Sequence, residues 1–251
     1  MSLPETDEYK GIYRIAGIKI EIRSLYPGVQ ELCKEYRVQG EPDICVQTSA
    51  SDIDIERQKS ISGSIFEGRE PKEYPPAYLE ELAVYRRICE QMPLYDTVLF
   101  HGSAVAVDGQ AYLFTAKSGT GKSTHVSLWK KLLGARAVII NDDKPLIRIS
   151  PDGAVVFGTP WDGKHRRSAN TSAPLKAICF LERAEQNSIV KTDPKEALPG
   201  ILRQIYRPAD SAAMAASMRL ADTLCRNTAF YRLRCNMNDD AALTAFNAMR
   251  D

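Results

Sequence analysis

A glycine-rich run near the middle of the chain carries residue types that bind phosphate. It reads Ala116-Lys117-Ser118-Gly119-Thr120-Gly121-Lys122-Ser123 and is followed by Thr124. Glycines at 119 and 121 let backbone N–H groups turn toward phosphate oxygens. Lys122 can reach the β- and γ-phosphates, and the hydroxyl of Ser123 can ligate Mg²⁺. We therefore predict a P-loop whose residues 116–124 bind a nucleotide; the alternative is an ordinary Gly/Ser turn into a helix.

Two adjacent acids lie about one helix and one strand beyond the glycine-rich run. Asp142 and Asp143 directly follow Asn141, which comes after the apolar run 137–140. Ligands of an open sheet gather at the carboxyl ends of strands, so an acid there can face Mg²⁺ and the γ-phosphate. Successive strand residues point to opposite faces, so both acids can serve only if the strand ends at this point. The alternative is a solvated Asn-Asp-Asp turn.

Two further segments add polar side chains to the candidate site. Phe100-His101-Gly102-Ser103 places a histidine beside a glycine in what we predict to be a strand interior, where the alternative is a core histidine bonded to a carbonyl. Residues 158–167 form a turn-rich loop in which Asp162 could be a second Mg²⁺ ligand. The candidate substrate contacts in this loop are Trp161, Lys164, His165 and Arg166. A lid over an anionic substrate and a surface loop pinned by the tryptophan both fit this composition.

The predicted secondary structure brings these segments together. Asp108-Gly109 predicts a hairpin between strands at 97–107 and 110–115, which delivers the chain to Ala116. A helix over 122–133 ends at Gly134, and the strand at 137–140 leads to the acids. The remaining predicted elements are a hairpin turning at 151–153, strands at 175–181 and 230–235, and helices at 195–206, 209–226 and 239–249. The pattern is α/β with a mixed sheet and hairpins.

The front of the chain differs in character from the rest. Apolar and charged residues alternate over 13–23, and a second strand is predicted at 43–48. Residues 60–76 are rich in glycine and proline and indicate a loop, a linker or the edge of a small β-rich module, after which a helix opens at Pro76. We expect a small β-rich module over residues 1–75 and a nucleotide-binding domain over residues 76–251.

Composition argues against several functional classes. The 33 Lys and Arg against 32 Asp and Glu leave a formal net charge of +1, which gives no basic field for nucleic acid. No apolar run approaches the roughly 20 residues that cross a bilayer, so we expect no membrane association. The 6 cysteines form no C-x-x-C pair, no signal peptide precedes them, and none of the 3 histidines stands at metal-ligand spacing. A cytoplasmic protein without structural zinc is the expectation.

The order of the motifs resembles a known kinase family. Phe100-His101-Gly102-Ser103, then Ser118-Gly119-Thr120-Gly121-Lys122-Ser123, then Asp142-Asp143 is similar to the kinase domain of the HPr kinase/phosphorylase family, over roughly residues 97–150. That family belongs to the phosphoenolpyruvate-carboxykinase-like P-loop group, so the resemblance implies that fold, with ATP and Mg²⁺ bound. It also implies that His101 contacts the transferred phosphate, that Asp143 is the catalytic base and that Asp142 orients or assists the metal. Lys122 and Ser123 would bind the nucleotide phosphates and Mg²⁺.

The chain also departs from that family. It has no Leu-Glu-Ile-Arg-Gly segment, which supplies a further Mg²⁺ ligand in HPr kinases, so HPr is not the expected substrate. The front module and the Gly-Thr-Pro-Trp loop look like uncharacterised HPr-kinase-like proteins, some relatives of which act in peptide-modification clusters. We expect an ATP- and Mg²⁺-dependent phosphotransferase that acts on a hydroxyl, either a serine of a protein or peptide or a small molecule. The alternative is a nucleotide-binding regulatory module without phosphotransfer, and either protein could form a homo-oligomer.

Overall fold

The chain divides into two compact units. The structure, a computed structural model, describes residues 9–66, 68–117, 119–163 and 166–250. The units are Met1–Glu90 and Gln91–Asp251, so the division lies after the helix that opens at Pro76, not before it at residue 75. Glu80 of that helix explains this, because its fully buried carboxylate accepts hydrogen bonds from the backbone N–H groups of Leu25 and Tyr26, at 2.6 and 2.8 Å. The helix is thereby bound to the first unit.

The first unit contains a three-stranded sheet in the order β1-β2-β3. β1 (Tyr9–Ile15) and β2 (Ile18–Ser24) are antiparallel, and β3 (Ile44–Gln47) runs parallel to β2. The run that we predicted as one strand over 13–23 is therefore a hairpin. The chain reverses at Ala16 and Gly17, which have φ of 49° and 77°, and the alternation of apolar and charged residues continues on both sides of this turn.

Three helices accompany this sheet, which is more helix than a β-rich module implies. They are α1 (Gly28–Leu32), α2 (Ala50–Phe66) and α3 (Pro76–Gln91). α2 contradicts the loop predicted from residue 60, since the helix continues through Gly63 to Phe66. Buried acids on α2 bind α3, because Arg86 contacts both Asp52 and Glu56, at 2.8 and 2.6 Å. These contacts hold the first two turns of α2 against α3, and the partly exposed residues 60–66 continue the helix from there.

The second unit is built on a nine-stranded mixed sheet. Its strands are β4 (Thr97–Leu99), β5 (Ser103–Val107), β6 (Gln110–Thr115), β7 (Ala137–Asn141), β8 (Leu146–Ser150), β9 (Gly153–Phe157), β10 (Ser172–Arg183), β11 (Ser188–Thr192) and β12 (Ala229–Cys235). The main order is β4-β8-β9-β10-β6-β5-β7, and β12 joins β11 to β10. β10 is long enough to pair in parallel with β6 and β12 and antiparallel with β9.

Two hairpin predictions are confirmed and one strand prediction is wrong. β5 and β6 turn at Asp108-Gly109, and β8 and β9 turn just before Gly153. The predicted strand over 97–107 is broken at residues 100–102, because β4 pairs with β8 whereas β5 pairs with β6 and β7. The short, mostly exposed β11 was not predicted.

Helices cover both faces of the second sheet. They are α4 (Lys122–Leu133), α5 (Pro194–Gln204), α6 (Ser211–Asn227) and α7 (Asp240–Met249). Leu113 packs in the core beneath α5 and α6, and the next residue, Phe114, packs in the opposite core against Trp129 of α4. Because alternate strand residues point to opposite faces, one sheet separates two cores. The mixed α/β architecture is as predicted, and no helix in the described ranges is long and apolar enough to cross a membrane.

Candidate functional site

Several strand ends meet at one edge of the second sheet. β6 is parallel to β10, and β5 lies antiparallel between β6 and β7, so the carboxyl ends of β6, β7 and β10 share an edge with the start of β5. A cleft of about 430 Å³ opens there. Its lining residues are His101, Gly119, Gly121, Lys122, Ser123, Thr124, Asp142, Asp143, Asp162 and Gly163. Residues that are spread over positions 101 to 163 of the sequence thus share one cavity.

The glycine loop, residues 116–121, leads from β6 into α4. Gly119 and Gly121 have φ of 78° and 121°, a region that favours glycine. A Cβ on Gly119 would meet no atom within 4 Å, so open space lies beside the loop. Ala116 is not among the four non-glycine residues with positive φ in the described ranges, which removes the objection to alanine at that position. A loop of this shape before a helix N-terminus suits an anion.

Lys122 is held against the glycine loop. Its ammonium donates a hydrogen bond to the carbonyl of Ala116 at 3.3 Å, and the residue is 9% exposed. Burial lowers the pKa of Lys122 from its usual value, while the negative charges of Asp143 and Asp142 act in the opposite direction. The cation is therefore a desolvated group close to the two acids.

Arg183, which the sequence analysis missed, also holds the glycine loop. It is the last residue of β10, and its guanidinium donates to the carbonyl oxygens of Gly119 and Thr120, the latter at 3.3 Å. Two donors on one rigid fork restrict the orientation of both peptide groups. The parallel pairing of β6 and β10 explains the contact, because it brings the end of β10 beside the loop.

The two acids lie directly after β7, which ends at Asn141. Asp142 is 5% exposed, whereas the side chain of Asp143 is 29% exposed. The carboxylate of Asp143 lies between two basic groups, 3.6 Å from Nε2 of His101 and 3.6 Å from Nζ of Lys144. The strand thus ends where both acids can face the cleft, and Asp143 is the more accessible of them.

His101 lies in the break between β4 and β5 and not in a strand interior, which corrects the prediction. Its backbone N–H donates to the carbonyl of Gln204 at 2.9 Å, and its carbonyl accepts the hydroxyl of Thr115 at 3.0 Å. Burial and the positive charge of Lys122 lower the pKa of His101, while Asp143 raises it. The net direction is downward, so the neutral imidazole is favoured.

The same break holds the backbone of the acidic turn. Gly102 donates its N–H to the carbonyl of Asp143, and the buried Ser103 donates its hydroxyl to the carbonyl of Asp142, both at 3.0 Å. A Cβ on Gly102 would lie 2.9 Å from the carbonyl oxygen of Phe114, so this close approach requires glycine. The Gly-Ser pair after His101 therefore positions the acids.

Asn141 joins the acidic turn to residues 158–163. Its amide oxygen accepts the N–H groups of Asp143 and Lys144, at 2.9 and 2.7 Å. Its amide nitrogen donates to the hydroxyl of Thr159 at 3.0 Å and lies 3.3 Å from the carbonyl of Trp161. Asn141 and Thr159 are fully buried. From the sequence Asn141 is predicted only as part of a turn, although an Asn at a strand end can support such a turn with its side chain.

Residues 158–162 are buried and are not a surface loop. Gly158 is required there, because a Cβ would lie 1.9 Å from the carbonyl oxygen of Ala169. Asp162 reaches the cleft, and one of its carboxylate oxygens accepts both the N–H and the hydroxyl of Ser168 at 2.9 Å. Its other oxygen, Oδ1, is buried and has no hydrogen-bond partner within the described residues. Buried polar atoms are as a rule paired, so this oxygen is suited to bind a ligand in the cleft.

Some predicted site residues do not line the cleft. Trp161 is buried, with 5% of its surface exposed, and Arg166 is exposed with a φ of 48°. Ala116 and Lys117 line a pocket on one side of the glycine loop, and Thr120 lines a pocket on the other. Ser118, Lys164 and His165 lie outside the described residues.

Comparisons with known proteins give a family match. The model of the family described as "ScmC: SynChlorMet cassette protein ScmC" matches residues 78–239. No curated protein matches the chain. Among solved structures, the HPr(Ser) kinase/phosphatase from Coxiella burnetii is similar, with 12% identity, a TM-score of 0.29, and coverage of 51% of this chain and 88% of that chain.

Proposed function

The chain belongs to the ScmC family of SynChlorMet cassette proteins, and for this member we propose an ATP- and Mg²⁺-dependent phosphotransferase that transfers the γ-phosphoryl group to a hydroxyl. One observation carries the proposal. A glycine loop with a lysine, a pair of acids and a histidine, which are distant in the sequence, line a single cleft. This set of groups is what phosphoryl transfer requires, namely phosphate binding, charge neutralisation and proton acceptance.

The glycine loop fits the phosphates of a nucleotide. Open space lies beside Gly119, the loop precedes the N-terminus of α4, and Lys122 supplies a buried positive charge. When bound, ATP would supply the phosphoryl group, and Mg²⁺ would reduce the charge on its phosphates. The loop N–H groups and Lys122 would hold the phosphates, and Arg183 would keep the loop in shape through its two carbonyl contacts.

The acids fit a magnesium ion. The described residues contain no group of three His, Cys, Asp or Glu side chains arranged to hold a metal. Mg²⁺ in phosphoryl-transfer sites is commonly held by one or two carboxylates, with substrate phosphates and water completing its coordination. The buried Oδ1 of Asp162, which has no donor among the described residues, supports this use. We propose that Asp142, Asp162 and the hydroxyl of Ser123 hold the cation.

Asp143 is the proposed base. It is the more exposed of the paired acids and is therefore the one that an acceptor hydroxyl can approach. In the proposed reaction its carboxylate takes the proton of that hydroxyl. His101, 3.6 Å away and favoured in its neutral form, would orient Asp143 and contact the transferred group.

The proposed acceptor is a serine of a protein or peptide, with a small-molecule hydroxyl as the other candidate. This choice rests on the resemblance of the motifs to the HPr kinase/phosphorylase family, which also suggests the phosphoenolpyruvate-carboxykinase-like form of P-loop domain. A cytoplasmic location, where ATP is available, goes with the proposal.

The proposal is tested by separating nucleotide binding from transfer. Asp143→Asn keeps the shape and hydrogen-bonding capacity of the side chain but cannot take the proton, so transfer should fall by about 10² to 10⁴ with little change in ATP affinity. The assay follows the label of γ-labelled ATP into protein, into a serine-peptide library and, without an acceptor, into free phosphate. Asp152→Asn, at an exposed acid of the β8–β9 hairpin, is the matched control and should leave the rate unchanged.

Two results would contradict the proposal. If Asp143→Asn transferred phosphate as fast as the parent protein, the assignment of the base would be wrong. If the parent protein bound ATP but transferred no label to any acceptor, the regulatory module without phosphotransfer would be the better description.

A further inference from the structure

A second pocket of about 480 Å³ adjoins the glycine loop in the second unit. It lies between the first turns of α4 and the carboxyl ends of β10 and β12. Its lining residues are Thr120, Gly121, Thr124, His125, Leu128, Leu181, Arg183, Ala184, Cys235, Asn236, Met237 and Asn238. Ligand pockets in proteins have volumes of roughly 300–1,000 Å³, so this one is large enough for a small organic molecule.

The pocket lies next to the proposed phosphate site. Gly121 and Thr124 line both cavities, so a group bound in the pocket would lie beside phosphates held on the glycine loop. Arg183 lines the pocket and also holds two carbonyls of the loop. The two cavities therefore share the structure that supports the loop.

The walls of the pocket suit a flat, uncharged ring. Leu128 and Leu181 provide aliphatic surface, and Met237 at its edge is 76% exposed. Flexible methionine side chains pack well against aromatic rings. An apolar side chain so exposed beside a pocket would be covered by a ligand ring.

His125 adds a polar group to this lining. The residue is 3% exposed. The indole N–H of Trp129 can only donate, and it lies 3.0 Å from Nε2, so Nε2 is the acceptor and the proton is on Nδ1. Nδ1 has no partner in the part of the chain that is described. Because His125 lines the pocket, an acceptor atom of a bound ligand would be the partner for this donor.

The pocket on the other side of the glycine loop has a different chemistry. It has a volume of about 430 Å³, and its lining includes Lys117, Glu196 and Arg203. Arg232 and Glu182, which also line it, form an ion pair at 2.6 Å. Charged walls favour a polar or ionic ligand over an uncharged ring.

We propose that the pocket beside α4 holds the base and ribose of the nucleoside triphosphate. This inference rests on the proposed function, since it requires the phosphates to lie on the glycine loop. The base stacks between the aliphatic side chains and Met237, and a ring nitrogen or ribose oxygen accepts from the imidazole of His125. Affinity for ATP then exceeds affinity for its phosphate chain alone, because only the nucleoside fills this pocket.

The experiment compares ATP with inorganic tripolyphosphate, both with Mg²⁺, by titration calorimetry on the full chain. Ala184→Trp fills the pocket and should weaken ATP binding by at least about tenfold, while the affinity for tripolyphosphate stays the same. Glu196→Trp places the same ring in the charged pocket and is the matched control. Met237→Ala, at an exposed position that the fold does not need, should weaken ATP binding by about threefold or more.

Three other outcomes would each contradict the proposed position of the nucleoside or the proposed function itself. If the parent protein bound ATP no more tightly than tripolyphosphate, or if Ala184→Trp and Met237→Ala left ATP affinity unchanged, the nucleoside would not occupy this pocket. If only Glu196→Trp weakened ATP binding, the charged pocket would be the nucleoside site. If neither tripolyphosphate nor ATP bound, the proposed function itself would fail and this inference with it.

Discussion

Replacing Asn141 with alanine should disable the acidic turn without touching the groups that react. The amide of Asn141 accepts from the N–H groups of Asp143 and Lys144 and donates toward Thr159, so it connects the turn to the buried segment that carries Asp162. Asn141→Ala removes this connection. We expect both a loss of stability and a loss of phosphotransfer greater than the loss of stability explains.

The magnitude follows from the bonds that are lost. An intramolecular hydrogen bond contributes about 1 kcal/mol, and a buried polar group left without a partner costs roughly 1–3 kcal/mol. Asn141 is fully buried and serves two N–H donors within 2.9 Å, so the free energy of unfolding should fall by roughly 2–4 kcal/mol. Phosphotransfer should fall by at least about tenfold, since a displacement of about 1 Å at a reacting group can cost 10²-fold.

Urea unfolding gives the stability, and the γ-label assay on folded protein gives the rate. Asn227→Ala is the control, because it removes one exposed amide contact, to the carbonyl of Pro151 at 2.8 Å, and should cost less than about 1 kcal/mol with an unchanged rate. Asn141 would not support the acidic turn if Asn141→Ala lost no more stability than this control, or if it lost stability but transferred phosphate at the parent rate.

Three further predictions address burial, the loop and close packing. The pKa of His125 is about 4 in the folded protein against 6.5 ordinarily, so only the unfolded chain takes up a proton at this residue as the pH falls between these values. Between pH 7 and pH 4 the free energy of unfolding, measured with urea, should therefore drop by roughly 3 kcal/mol more in the parent protein than in His125→Gln, and equal drops would contradict this. Arg183→Gln removes the two carbonyl contacts that hold the glycine loop, so it should weaken tripolyphosphate binding about tenfold in a calorimetric titration. Arg136→Gln, which removes an exposed ion pair with Asp108, should not weaken it, and equal effects of the two variants would exclude a role for Arg183 in loop shape. Gly158→Ala should lower the free energy of unfolding by at least about 2 kcal/mol, because its Cβ would meet a backbone oxygen at 1.9 Å. Gly63→Ala, in open space within α2, should be neutral or stabilising, and thermal unfolding of both variants tests the difference.

Sequence patterns predicted the local elements of the second unit well. The hairpin at Asp108-Gly109, the helix after the glycine loop and the strand before the acids all depend on neighbouring residues, and the structure has them. The strand predicted at 137–140 corresponds to β7, which ends at Asn141, directly before the two acids. Local turn chemistry and periodicity are sufficient for such features.

Features that depend on distant contacts were missed. The acids at the start of α2 bind arginines of α3, a contact between two helices that neither helix reveals by itself. The break at His101 arises because β4 and β5 pair with different strands.

The positioning residues of the site were missed for the same reason. Arg183 contacts the glycine loop from 63 and 64 residues away, and Asn141 binds Thr159 from 18 residues away. Each is an ordinary polar residue at a strand end until the strand order is known.

The most direct test of the account is whether ATP with Mg²⁺ binds through Lys122. At about 100 times its dissociation constant, a ligand raises the free energy of unfolding by roughly 2.7 kcal/mol. We predict that ATP with Mg²⁺ raises the melting temperature of the parent protein by the amount that corresponds to this free energy, and that Lys122→Ala loses nearly all of this rise. The absence of a shift in the parent protein, or an equal shift in Lys122→Ala, would contradict nucleotide binding at this cleft.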